Sequence, residues 1–249
     1  MRVGILGFVG AGKTTLLGAL MHHLARGGGK DSPLAYHGLE GADSFRDLFG
    51  YADALERGGW PPRTSTSRVA EYTLQLRERA TGIVLELKLP EMSGELVEEI
   101  WRTDRIPGEI SFVKDYRGLL LLIDATVIAP ERTVAQYVHL LQALKRAQGF
   151  LRSERSSLPV ALVFTKWDAL PEEERDAPPE ELARVLVPLL LDFVQSNHSA
   201  FKVFGVSAVG ATDALGKPLL RDGRLKPISL LAPFEWALEE TRRVAQPKA

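Results

Sequence analysis

Near the start of the chain stands Gly7-Phe8-Val9-Gly10-Ala11-Gly12-Lys13-Thr14, a complete G-x-x-x-x-G-K-T. Its flanks make it a constraint on the fold. Arg2 to Leu6 reads as a short buried strand, and Lys13 to Arg26 as a helix with Leu16, Leu17 and Leu20 on its apolar face. Glycines in such a loop let backbone N–H groups converge on phosphate oxygens without side chains in the way. The following helix turns its positive dipole end toward the same charge. In this arrangement Lys13 bridges the β- and γ-phosphates and the Thr14 hydroxyl suits Mg²⁺. A purely structural turn needs the glycines but not the Lys13-Thr14 pair.

The rest of the chain alternates strands with helices. Val69 to Glu78 and Ile83 to Leu89 alternate apolar and polar residues around Ala80-Thr81-Gly82, which predicts an antiparallel hairpin. Leu119 to Ile123, Val160 to Phe164 and Phe201 to Val206 read as strands, the first two apolar enough to be buried on both faces. Helices are expected at 44–57, 94–103, 131–148, 178–196 with a kink at Pro188, and 233–244. Residues 30–67 otherwise read as a long connection, and 210–228 as a Gly/Pro-rich excursion. The pattern predicts an α/β three-layer sandwich whose six-stranded, mostly parallel sheet carries one antiparallel edge strand. It shows no clear domain boundary, so 1–249 is expected to form a single domain with insertions at about 30–60 and 210–228.

Composition narrows the function. The 249 residues contain no cysteine, which excludes disulfide scaffolds, thiolate zinc sites and cysteine nucleophiles. With 31 Lys+Arg against 32 Asp+Glu, a broad nucleic-acid surface is not expected. No run approaches the roughly 18 apolar residues of a membrane span, and the first residues lack a secretory pattern. A cytoplasmic location is the default; peripheral membrane contact and oligomeric state stay open. The adjacent His22 and His23 project about 100° apart on a helix, which suits packing better than joint chelation.

Two further signals sit at the carboxyl ends of strands, where α/β sheets bind ligands. Thr165-Lys166-Trp167-Asp168 follows one buried strand, and Ser207-Ala208 follows the next. A buried carboxylate accepting from N1–H and the exocyclic amine selects guanine, because adenine would leave it unpaired. An aliphatic lysine stem can lie flat over a purine.

With these three motifs in this order, the chain resembles the Ras-like, translation-factor-related P-loop GTPases, whose base motif is [NT]-K-x-D. The resemblance implies a P-loop NTPase fold that binds GTP or GDP with Mg²⁺. It assigns Gly7, Val9, Gly10, Ala11, Gly12, Lys13, Thr14 and Thr15 to the phosphates. It assigns Thr165, Lys166, Asp168, Ser207, Ala208 and Val209 to the base, with Asp168 reading guanine, Lys166 covering it and the Ala208 N–H meeting O6. Val209 stands where the family usually has a lysine. The family's D-x-x-G becomes Glu91-Met92-Ser93-Gly94, so Glu91 replaces the aspartate that holds Mg²⁺ through water. Gly94 keeps the γ-phosphate contact, and Glu95 stands where many relatives place a water-orienting glutamine.

For the threonine that senses the γ-phosphate and binds Mg²⁺, Thr64 and Thr66 are candidates; Thr64, approached through Pro61-Pro62, is preferred. Arg63 is a candidate arginine finger or a solvated loop residue. The strings Leu55 to Thr64 and Pro233-Phe234-Glu235-Trp236 also resemble prokaryotic double-GTPase-type domains.

The expectation is a GTP-binding molecular switch that hydrolyses GTP slowly, with Lys13, Thr64, Gly94 and Glu95 in the catalytic set and Thr14, Thr64 and Glu91 around the metal. Its partners would be a protein effector and an activator. The alternatives are a non-hydrolysing guanine-nucleotide scaffold and a P-loop small-molecule kinase, for which Arg152 and Arg155 are the lid candidates.

Overall fold

The computed structural model describes residues 2–7, 10–25, 32–62, 71–90, 115–128, 131–147, 149 and 155–245. The helix expected over 94–103 lies outside them. The strands are β1 (Arg2–Gly7), β2 (Leu34–Glu40), β3 (Glu71–Glu78), β4 (Val84–Pro90), β5 (Gly118–Asp124), β6 (Val160–Thr165) and β7 (Phe201–Gly205). They form one sheet in the order β2-β3-β4-β1-β5-β6-β7. All neighbours from β4 to β7 pair in parallel, while β3 runs antiparallel to both β2 and β4. Antiparallel pairing is thus confined to one edge, as expected.

The sheet has one strand more than the six expected. Leu34–Glu40 lies in the stretch that reads as a connection, because its alternation is broken by a register shift between Tyr36 and Gly38. Pairing with β3 makes it a strand.

The helices are α1 (Lys13–Ala25), α2 (Ala42–Glu56), α3 (Glu131–Ala147), α4 (Glu172–Asp176), α5 (Pro179–Leu186), α6 (Pro188–Asn197) and α7 (Ala232–Ala245). Alternate residues of the central strands feed two cores. Val3, Ile5, Leu120, Leu122, Ala161 and Val163 pack with α1, α2 and α7. Leu119, Leu121, Ile123, Val160, Leu162 and Phe164 pack with α3, α5 and α6. The three layers follow from this double burial. His22 is buried and His23 half-buried on α1, consistent with packing.

The helix expected over 178–196 is interrupted, not merely kinked. Val187 leaves the helical region at φ −142°, ψ 51°, and α6 starts afresh at Pro188. Proline has no N–H for the preceding turn, and it pushes the residue before it out of the α region. A second packing constraint ties β7 to the loop after β6. The Trp167 indole lies flat on Gly205, where a Cβ would stand 2.4 Å from the ring.

His198, fully buried after α6, donates from Nδ1 to the Leu158 carbonyl at 3.0 Å. Burial, and next to it the charges of Lys145 and Arg155, hold its pKa below the usual 6.5 against the pull of that hydrogen bond.

Gly205→Ala should lower stability by about 1–3 kcal/mol through overpacking against Trp167, read as a shift in urea midpoint. The unfolded chain binds a proton at His198 more readily than the folded one, so its contribution is full above about pH 6.5 and is lost as pH falls below that value. Thermal midpoints should therefore drop between pH 7.5 and 5.5, with a shallower slope in His198→Gln.

Candidate nucleotide site

Strand register brings the candidate residues to one edge. β1 ends at Gly7 opposite Leu122, β5 ends at Asp124 opposite Thr165, and Phe164 of β6 pairs with Gly205 at the end of β7. The ladder continues past the strands through Ala125 N–H to Thr165 O, Val206 N–H to Phe164 O and Trp167 N–H to Val206 O. Three loops therefore leave the same carboxyl edge side by side: the glycine loop, the loop after β6 and the loop after β7.

In the glycine loop, Gly10 has φ +85° and Gly12 φ +75°, a conformation that side chains rarely adopt. Nothing lies within 4 Å of where a Gly10 Cβ would be, so the loop faces open space on that side. Ala11 is buried, while Gly12 to Thr15 stay partly accessible at the start of α1. The Lys13 ammonium reaches back to the Gly7 carbonyl. This is a cradle with the shape and donors that phosphates require. Val9 lies outside the described residues, as do Thr64, Glu91, Gly94 and Glu95.

Thr165 binds the loops together. Its buried hydroxyl reaches the Ala11 carbonyl at 3.0 Å and the Ile123 carbonyl at 3.2 Å. A Gly12 Cβ would stand 3.7 Å from that hydroxyl, so the glycine loop rests on it. Lys166 follows in the left-handed region at φ 58°, ψ 33°. A non-glycine residue held there costs on the order of 1–3 kcal/mol, a strain that concentrates at functional positions. The turn that holds it is Trp167–Ala169, closed by Ala169 N–H to Lys166 O at 2.9 Å. This turn presents Asp168, half-buried, whose carboxylate has no hydrogen-bond or ion-pair partner among the described residues.

Ser207 is fully buried and accepts from the N–H groups of Val209 at 3.3 Å and Gly210 at 2.7 Å. It shapes the loop, and Ala208 remains partly accessible beside it. The Val209 side chain points into the core under α1 and α7, and its N–H is used by Ser207. The structure therefore does not bring Val209 to the mouth of the site with the other residues. Trp167 is likewise buried, its Nε1–H donating to the Arg175 carbonyl at 3.3 Å.

The sequence reading missed Asp124. It closes β5, and its carboxylate accepts from the Lys166 ammonium. Burial alone would raise its pKa, but bonds from Lys166 and from the Thr126 hydroxyl and N–H outweigh this and hold it below the usual carboxylate value. The signal that finds it is register: only the pairing of Asp124 with Thr165 places it beside Lys166. Arg155, by contrast, is far from this edge. Its guanidinium bonds to the Gln195 and His198 carbonyls, and the adjacent Ser156–His198 bridge lies at the amino end of β6. It is not placed to act as a kinase lid; Arg152 lies outside the described residues.

The family model for Double-GTPase 2 matches residues 1–217. The chain belongs to the Double-GTPase 2 family. Membership implies a GTPase that binds guanine nucleotide, consistent with the open glycine loop and with an Asp168 carboxylate that has no partner among the described residues. No curated protein matches this Double-GTPase 2 chain. Among solved structures, the crystal structure of bacterial selenocysteine-specific elongation factor EF-Sec is similar, with a TM-score of 0.48 and 14% identity. That match covers 100% of this chain and 29% of the other, so the chain spans under a third of that protein's length. Among the described residues, no helix is long and apolar enough to cross a membrane.

Thr165→Val removes the one hydroxyl proton that the Ala11 and Ile123 carbonyls share. It should lower stability by about 1–3 kcal/mol in chemical denaturation.

Proposed function

We propose that the chain is a single GTPase domain that acts as a GTP-dependent switch, with insertions at about 30–60 and 210–228. The observation that carries this reading is the convergence of the phosphate cradle, Lys166 with Asp168, and Ser207 with Ala208 at one carboxyl edge. The α1 N-terminus and the Gly10 to Thr15 backbone would hold the α- and β-phosphates. Lys13 would exchange the Gly7 carbonyl for phosphate oxygens. Asp168 would accept from guanine N1–H and the exocyclic amine, which adenine cannot supply.

The Thr14 hydroxyl, joined by Thr64 and Glu91, would hold Mg²⁺, which when bound neutralises phosphate charge. Water attacks the γ-phosphorus, the bond to the β–γ bridging oxygen breaks, and GDP and phosphate leave. Glu95 in place of a water-orienting glutamine would put negative charge beside the γ-phosphate, which would make intrinsic turnover slow. GTP would order residues around 60–66 and 91–100 for a protein effector, and hydrolysis, accelerated by an activator, would release them.

Single-turnover hydrolysis of bound GTP tests the reading. Mg²⁺-dependent conversion is expected on the order of 10⁻⁴–10⁻³ s⁻¹, the scale of unassisted small GTPases. Lys13→Ala should slow it by at least about tenfold. Tight GTP binding with no conversion over a day would favour a non-hydrolysing scaffold.

A further inference from the structure

The contact between Asp124 and Lys166 has a one-sided construction. Asp124 is the last residue of β5, and its side chain is 18% exposed against 45% for Lys166. Its Oδ1 accepts from the Thr126 N–H at 2.9 Å and from the Thr126 hydroxyl at 2.7 Å, so the carboxylate plane is set before Lys166 arrives. Oδ2 is left for the Lys166 ammonium. The backbone of Lys166 is fixed too, in the left-handed turn that leads into Trp167–Ala169. Both ends of the four-carbon stem are therefore tied, one to β6 and one to β5, along the carboxyl edge where Asp168 is presented.

We infer that Asp124 is a positioning residue of the base site: it holds the Lys166 stem in the extended form that receives the face of a purine. This deepens the guanine-nucleotide reading and rests on it. A lysine on a free tether must give up its rotamer freedom when a base settles against it, whereas an anchored one has already done so. The anchor is itself rigid, because the strand register and two bonds from Thr126 fix it. The Lys166 ammonium pairs with Asp124 and not with Asp168, whose carboxylate has no partner among the described residues. Preorganisation of this kind is felt mainly in the dissociation rate.

The test is dissociation of a fluorescent GDP derivative from the full chain, chased with excess GDP, alongside thermal unfolding of the nucleotide-free protein. Asp124→Asn keeps the Thr126 bonds but loses the charge that holds Lys166; dissociation should be about tenfold faster with an unchanged thermal midpoint. Lys166→Ala should be at least as fast, and the double variant Asp124→Asn/Lys166→Ala no faster than Lys166→Ala alone. Thr126→Val, which removes the hydroxyl bond to the carboxylate, keeps the backbone one and leaves Lys166 untouched, should be about threefold faster. If Asp124→Asn lowers the thermal midpoint, Thr126→Val decides, and a wild-type rate there overturns the inference. So does a rate for Asp124→Asn within about twofold of wild type, or acceleration that multiplies with that of Lys166→Ala. Failure of the wild-type chain to bind GDP would overturn the guanine reading and this inference together, while intact binding with insensitive rates overturns the inference alone.

Discussion

The Thr165 hydroxyl is the point on which the site depends. It sits at the end of β6, buried, and touches the carbonyl of Ala11 in the glycine loop and that of Ile123 in β5. A loop whose glycines occupy positive φ has little conformational preference of its own. The hydroxyl supplies the missing restraint and registers the phosphate cradle against the strand that launches Lys166 and Asp168. The glycine loop and the turn that carries Lys166 and Asp168 are therefore mechanically one unit, because Thr165 precedes the turn and bonds to the loop. The cores above and below the sheet keep β1, β5 and β6 aligned so that this bond forms.

The charges at the edge are divided by the same geometry. Lys13 is turned back on the Gly7 carbonyl, Lys166 is engaged by Asp124, and Asp168 has no partner among the described residues. A half-buried carboxylate without donors is unfavourable in isolation and becomes favourable when a ligand provides two N–H groups. The left-handed backbone at Lys166 points to the same conclusion, since such strain persists where the surrounding structure requires it. In the proposed function Glu91 and Glu95 bear on hydrolysis instead, so binding and turnover would be separable properties of this chain.

Much of this is legible in the sequence. Leu119 to Ile123 and Val160 to Phe164 announce doubly buried strands because they lack polar residues, and the glycine loop and T-K-W-D carry their chemistry in adjacent positions. What was not legible depends on contacts distant in sequence. Leu34–Glu40 becomes a strand only through β3, and its register shift hides the alternation. Asp124 looks like the polar end of a strand until the β5–β6 ladder sets it beside Lys166. Val209 sits where a lysine is usual, and only its burial under α1 and α7 shows that it serves the core. At Pro188 the sequence marks the disturbance, but the tertiary structure turns a kink into a break at Val187.

The central claim is that Asp168 reads a guanine base, and the most direct measurement is the affinity of the wild-type chain and of Asp168→Asn for GDP and for ADP. Wild type should prefer GDP by about a hundredfold or more, and Asp168→Asn should erase most of that preference by weakening GDP alone. Equal affinities for GDP and ADP, or a preference that Asp168→Asn leaves intact, would contradict it.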